Sequence, residues 1–187
     1  ARYLTMNGKR RLIGSFNHGS MANGLVHAIG AQAAFPKRQI ISMSGDGGLA
    51  MMMGELITLV QNKLPVKTVV YNNSSLNFVE LEMKAAGFVT FGTDLANPDF
   101  SKVAEATGIK GFRVEKSSQL PEVVREFLAY DGPAVLDVIT ERQEMSMPPA
   151  VTAEQAKGFA LYAIRTVMSG KGDELVDLAR TNLRQIV

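Results

Sequence analysis

Helix-like and strand-like segments alternate along most of this chain. They predict an α/β fold, a doubly wound, mainly parallel sheet with helices on both faces, followed by a helical carboxy-terminal tail. Three observations lead there. Short apolar runs rich in valine, isoleucine and threonine recur between longer stretches of helical spacing. Glycine, proline and asparagine mark the junctions. Beyond Met147-Pro148-Pro149 only helical periodicity remains.

Taken in order, Ser20 to Phe35 carries small and apolar residues at helical spacing and stops at Pro36. Gln39 to Ser44 is a short apolar run bounded by glycines, expected to be a buried strand. Met51 to Asn62 reads as a helix ended by Lys63-Leu64-Pro65. Lys67 to Tyr71 reads as a strand and Leu76 to Ala86 as a short helix. Asp99 to Thr107 follows Pro98 and is stopped by Gly108. A strand around Phe112 to Glu115 and a helix from Leu120 to Tyr130 come next. Asp131-Gly132-Pro133 makes a turn into a buried strand, Ala134 to Thr140. The tail divides at Ser169-Gly170-Lys171-Gly172 into helices over Ala153 to Met168 and Asp173 to Ile186. The expected division is an α/β domain over 1–146 and a helical tail over 147–187.

Composition excludes several classes. The chain has 187 residues, 46% hydrophobic and 20% charged, as expected for a globular fold. A net charge of +2 gives no reason to expect nucleic acid as a partner. With no cysteine there is no disulfide scaffold, thiolate metal site or cysteine nucleophile. No apolar run is long enough to span a bilayer, and the basic start lacks a signal-peptide apolar region. The expected location is cytoplasmic. His18 and His27, the two histidines, lack zinc spacing. His27 is expected to be structural, and His18 stands beside Gly19. There is no dinucleotide fingerprint, Walker lysine or nucleophile elbow.

The chemistry concentrates after two strands. Gly45-Asp46-Gly47-Gly48 follows the first, and Asn72-Asn73-Ser74-Ser75 the next. In open α/β sheets, ligands bind beyond the carboxyl ends of the strands. Glycines admit close backbone approach, and the amides of Gly47 and Gly48 would open a helix, where phosphate is favoured. A bare aspartate would repel that phosphate unless a divalent cation sat between them. Asp46, an Asn73 carbonyl, a backbone carbonyl and two diphosphate oxygens form a hard oxygen set suited to Mg²⁺. Either motif by itself is compatible with an ordinary turn. Asn73 follows Asp46 by 27 residues, room for one helix and a returning strand.

With these motifs the chain resembles the thiamine diphosphate enzymes of the pyruvate oxidase and acetolactate synthase group, which share Gly-Asp-Gly, a spacer of this length and Asn-Asn. The segment "NHGSMANGLVHAIGAQAA", Asn17 to Ala34, is similar to the part of that family that holds the thiamine pyrimidine. The resemblance runs from about Leu12 to Thr140. It implies that Asp46, the Asn73 side chain and the backbone carbonyl of Ser75 ligate Mg²⁺. It implies that the backbones of Gly19 and Met21 meet the aminopyrimidine, with Met21 as the apolar wedge that bends the cofactor. Gly45, Gly47, Gly48, Leu76 and Asn77 complete the cofactor-binding set. Asn77 stands where many relatives have glycine; asparagine tolerates left-handed φ best among the others, so the turn can be kept.

Within the group, "NNSSLNFVELEMKAAG", Asn72 to Gly87, resembles the pyruvate dehydrogenase (quinone) branch, peripheral-membrane flavoproteins also called pyruvate oxidases. By that likeness Phe78 lies between thiamine and flavin, and Glu82 is an active-site acid one turn on. Read without it, Phe78 is a core aromatic and Glu82 a solvated charge. The branch implies oxidative decarboxylation of pyruvate to acetate and CO2, with electrons passing through FAD to a membrane quinone. It also implies a homo-oligomer, commonly a tetramer, on the inner face of the cell membrane. The family's pyrimidine-binding and FAD-binding domains do not fit in 187 residues. The chain is therefore expected to be a carboxy-terminal portion that is inactive alone.

Residues 172–187 place Leu175, Leu178, Ala179, Leu183 and Ile186 near one helical face. That face either packs on the protein's own core or lies on a bilayer; the resemblance implies membrane lipid as its partner. Ala153 to Gly170 is either an arm over the active-site mouth or a core helix, with the core helix favoured. Other readings are an acetolactate synthase, an oxygen-dependent pyruvate oxidase, and a non-enzymatic binding module.

Overall fold

The computed structural model describes residues 4–144 and 152–183. Met147-Pro148-Pro149, the expected boundary between 146 and 147, and residues 184–187 of the tail segment lie outside the described residues. The elements alternate as expected. They are α1 (Asn23–Ala34), β1 (Ile41–Gly45), α2 (Asp46–Met51), α3 (Leu56–Gln61), β2 (Lys67–Asn72), α4 (Asn77–Ala85), α5 (Phe100–Ala106), β3 (Lys110–Val114), α6 (Leu120–Ala129), β4 (Ala134–Ile139), α7 (Ala153–Met168) and α8 (Gly172–Leu183). The four strands form one parallel sheet in the order β1-β2-β4-β3. Its register shows where the Ala134 amide donates to the Val66 carbonyl at 3.1 Å and Thr140 to Asn72 at 2.9 Å. Equal steps in the same sense on both strands are the mark of a parallel pair.

The chain gathers into two compact units, each built from two segments. The first comprises Ala1–Val70 and Asp99–Asp137, the second Tyr71–Pro98 and Val138–Val187. In the first, Leu25, Leu49, Leu56, Leu59, Phe100 and Val135 form the buried core. Asp99 caps α5, its Oδ1 accepting from the amides of Ser101 at 2.9 Å and Lys102 at 3.2 Å. Asp137, fully buried on β4, accepts from Arg113 Nη1 at 2.6 Å, so the buried carboxylate is paired. Phe112 meets Phe127 edge to face, with ring centroids 5.9 Å apart, and this seats α6 against β3.

Two elements depart from the expectation. The single helix over Met51 to Asn62 begins earlier, at Asp46, and breaks into α2, a 3-10 turn at Met53–Glu55, and α3. Met52 leaves the helical region (φ −129°, ψ 25°). Gly54, in the broken turn, is a poor helix former. The strand expected to be buried, β1, is an edge strand buried on one side. Ser42 and Ser44 face α1, where Gly24 has no room for a Cβ against Ser44 Oγ. Ile41 and Met43 alternate to the exposed side.

In the second unit α4 and α7 pack closely. A Cβ on Gly158 would overlap the Ala85 carbonyl oxygen, so glycine at 158 lets the two backbones meet. Tyr162 of α7 is buried, with Lys84 Nζ 5.7 Å from its ring centroid. Arg165 Nη1 donates to the Gly87 carbonyl at 2.7 Å. Thr152 and Gln155 close a capping box at the start of α7. The helix over Ala153 to Met168 is thus a packed helix of this unit. Asn182 of α8 donates to the Gln143 carbonyl at 2.8 Å.

Candidate functional site

In the first unit β1 delivers the chain into Gly45, the N-cap of α2, and then Asp46. Asp46 is only 3% exposed, and its Oδ1 accepts from the Gly47 amide at 2.8 Å. Gly47 and Gly48 are buried in the first turn. A Cβ on Gly48 would stand 2.5 Å from the Met21 carbonyl oxygen. The glycine therefore permits a backbone approach that brings the Gly-Asp-Gly segment against residue 21. Gly19, at φ +59°, turns the chain just before it and donates its amide to Ser15 O at 2.7 Å. The side chain of Met21 is half-exposed. His18 and His27 are both exposed, so His27, expected to be structural, instead lies on the solvent side of α1.

In the second unit β2 ends in Asn72 and the chain turns sharply. Asn73 Oδ1 accepts from the Ser75 amide at 3.0 Å, a side-chain-closed turn. Ser74 takes the left-handed conformation at φ +57°. Ser75 is buried and forms an antiparallel bridge with Asp94. The Leu76 amide donates to Thr93 O at 2.8 Å and Leu95 to Ser74 O at 3.0 Å. The left-handed residue is Ser74 and not Asn77, which corrects the expectation for Asn77. Asn77 is the first residue of α4, and its Nδ2 donates to the Arg142 carbonyl at 2.7 Å. Phe78 and Glu82 are exposed on α4, one turn apart, and Phe78 is 70% exposed, so it is no core aromatic.

Residues 1–138 match the family model of the thiamine pyrophosphate enzyme C-terminal TPP binding domain. The chain belongs to this family. A thiamine pyrophosphate-containing protein of Bacillus subtilis (strain 168) is 36% identical over 97% of the chain and 31% of the relative. Pyruvate oxidase of Lactiplantibacillus plantarum is 35% identical over 74% of the chain and 23% of its own length. The mitochondrial acetolactate synthase catalytic subunit of Saccharomyces cerevisiae is 35% identical over 79% and 22%. The chain spans less than a third of each of these relatives.

The donors of this TPP-binding domain fit a magnesium diphosphate. No cluster of three or more His, Cys, Asp or Glu occurs among the described residues. Magnesium also accepts a lone carboxylate together with amide, backbone and phosphate oxygens. Asp46 in the first unit, and Asn73 and Ser75 in the second, carry hard oxygen donors of the kind that such a set uses.

Sequence reasoning missed a buried polar cluster behind Ser75. Glu80, 2% exposed, accepts at Oε2 from Ser75 Oγ at 2.7 Å and at Oε1 from Lys84 Nζ at 2.7 Å. Arg142 Nη2 reaches the same Oε2 at 3.4 Å and also pairs with Asp94 Oδ1. Lys84 donates further to Gln143 Oε1 at 2.8 Å. Burial opposes ionisation of Glu80. The hydrogen bonds from Lys84 and Ser75 and the charges of Lys84 and Arg142 outweigh it, and hold the carboxyl below the usual range. The one available signal was the four-residue spacing of Glu80 and Lys84, which reads equally well as a surface pair.

Proposed function

We propose that this chain holds the magnesium diphosphate of thiamine diphosphate in a flavoprotein that oxidatively decarboxylates pyruvate. The products are acetate and CO2, with electrons passing through FAD to a membrane quinone. The observation that carries the reading is the placement of the two motifs. Gly45-Asp46-Gly47 follows β1 and Asn73 to Ser75 follows β2, neighbouring strands of one parallel sheet. Their residue types fit the family to which the chain belongs.

When bound, thiamine diphosphate supplies the carbanion equivalent and the electron sink that decarboxylation of a 2-keto acid requires. The residues of this chain anchor and orient it. Asp46, Asn73 and the Ser75 carbonyl are the proposed metal ligands. Gly45, Gly47, Gly48, Leu76 and Asn77 border the diphosphate. The backbones of Gly19 and Met21 hold the pyrimidine, and the Met21 side chain sets its angle. Phe78 and Glu82, exposed along one line of α4, are proposed to face the reacting groups, Phe78 by apolar contact and Glu82 by holding or moving a proton. FAD is bound by a part of the protein outside this chain. We further propose a homotetramer, cytoplasmic and peripheral on the inner face of the membrane, that contacts lipid through residues 172–187.

The test is the anaerobic visible spectrum of the full-length protein. A flavin band that bleaches on adding pyruvate, and only with thiamine diphosphate and Mg²⁺ present, is the expected result. A missing flavin band, or one indifferent to pyruvate, rejects the oxidative reading. The acetolactate synthase reading is kept because such enzymes stand among the relatives; formation of acetolactate in place of acetate would establish it. Reoxidation by oxygen with release of acetyl phosphate would instead point to the oxygen-dependent branch.

A further inference from the structure

We infer that Glu80 is a positioning residue for the turn at 73–75, acting through the hydroxyl of Ser75. The inference rests on the proposal that Asn73 and Ser75 are metal ligands. Four links close a ring around Ser75. Its hydroxyl donates to Glu80 Oε2 at 2.7 Å, and Glu80 meets Arg142 at 3.4 Å. Arg142 pairs with Asp94, and Asp94 returns to Ser75 through the isolated β-bridge. The other carboxylate oxygen is taken by Lys84, itself 4% exposed.

A stability argument does not account for this arrangement. Burying an ion pair costs desolvation on both sides, and well-packed apolar residues generally serve as well or better. An apolar side chain at position 80, however, could not accept the Ser75 hydroxyl. The turn has a specific need for such an anchor. Ser74 is held at φ +57° without being glycine, a conformation that persists only where its surroundings enforce it. The anchored turn presents Asn73 and Ser75 already ordered, so a cation does not have to order them on binding. Glu80 touches neither cofactor nor substrate in this scheme.

The experiment is a titration of the full-length protein with Mn²⁺ in the presence of thiamine diphosphate, reading free Mn²⁺ by EPR. Ser75→Ala keeps the backbone carbonyl and removes the hydroxyl; Glu80→Gln removes the charge that holds it. Each is expected to weaken Mn²⁺ binding about tenfold, the low end of what loss of a partner that orients a metal ligand costs. The double variant should lose clearly less than the sum of the two singles, because they share the contact through which Glu80 is proposed to act on the turn. Thermal unfolding of the apoprotein, measured alongside, separates the stability lost with the buried hydrogen bond from the loss of metal affinity. Should Glu80→Gln fail to fold, Ser75→Ala decides the question. Unchanged Mn²⁺ affinity in Ser75→Ala, or full additivity in the double variant, overturns the inference while leaving the metal site standing. If the unsubstituted protein binds no Mn²⁺ with thiamine diphosphate, the metal site itself is wrong and the inference falls with it.

Discussion

Asp99 shows how one side chain can serve a helix and a charge at once. It caps α5, and its Oδ1 lies 3.7 Å from Arg113 Nη1. Burial opposes its ionisation, but the hydrogen bonds from Ser101 and Lys102 and the Arg113 charge hold its carboxyl below the usual range. A carboxyl depressed by folding contributes stability that is complete above the unfolded value, about 3.9, and is lost as pH falls through the lower folded value. Asp99→Asn keeps a capping acceptor but cannot ionise. Its deficit against the parent should be below about 1 kcal/mol at pH 7, as for a partly exposed pair, and should shrink as pH falls below the unfolded value and through the lower folded one. Thermal unfolding of both proteins across that range checks it; a deficit independent of pH would refute the account. Position-specific chemistry of this kind was partly legible beforehand. Asp46 and Asn73 stood out because each follows a strand within a local motif. Glu80 did not, because it differs from the exposed Glu82 only by facing the other side of the same helix, and its partner Arg142 lies 62 residues away in the chain.

At the scale of elements, periodicity located the strands and most of the helices among the described residues, but merged α2 and α3 into one and did not fix every boundary. The bounds of α7 were readable because apolar spacing, a capping threonine and a following glycine agree, and those of α4 nearly so from its apolar spacing and the following Gly87. The break between α2 and α3 was not, since Met51 to Met53 are all adequate helix formers and a single Gly54 does not by itself decide that a helix is interrupted. The half-exposure of β1 was equally hidden: an apolar run does not say whether its strand lies at the edge of a sheet. The closest helix contact, α4 on α7, depends on Gly158. Gly158→Ala should destabilise by about 1–3 kcal/mol, the usual cost of overpacking, even though alanine is the better helix former. Denaturant unfolding measures it, and a stabilised variant would show that the two backbones can separate without loss.

For the molecule as a whole, lipid is the proposed partner of residues 172–187. No helix among the described residues is long and apolar enough to cross a bilayer, and the proposed lipid contact of residues 172–187 is a peripheral one. Deleting residues 172–187 from the full-length protein is expected to abolish sedimentation with anionic liposomes; undiminished binding would reject the tail as the lipid contact. Sheet order and the partition into units lay beyond sequence reasoning, because both depend on long-range pairing. Each unit is assembled from two stretches separated by a stretch of the other. That interleaving has a consequence for synthesis on the ribosome, where the chain emerges amino terminus first. The first unit is covalently complete once Asp137 has left the exit tunnel. The turn at 73–75 and α4 emerge well before that point, yet must wait for Arg142, Gly158 and Tyr162 to be translated before they acquire their packing partners. A nascent chain is thus furnished with the Gly-Asp-Gly half of its chemistry first and with a settled Asn-Asn half only after Tyr162 has been translated.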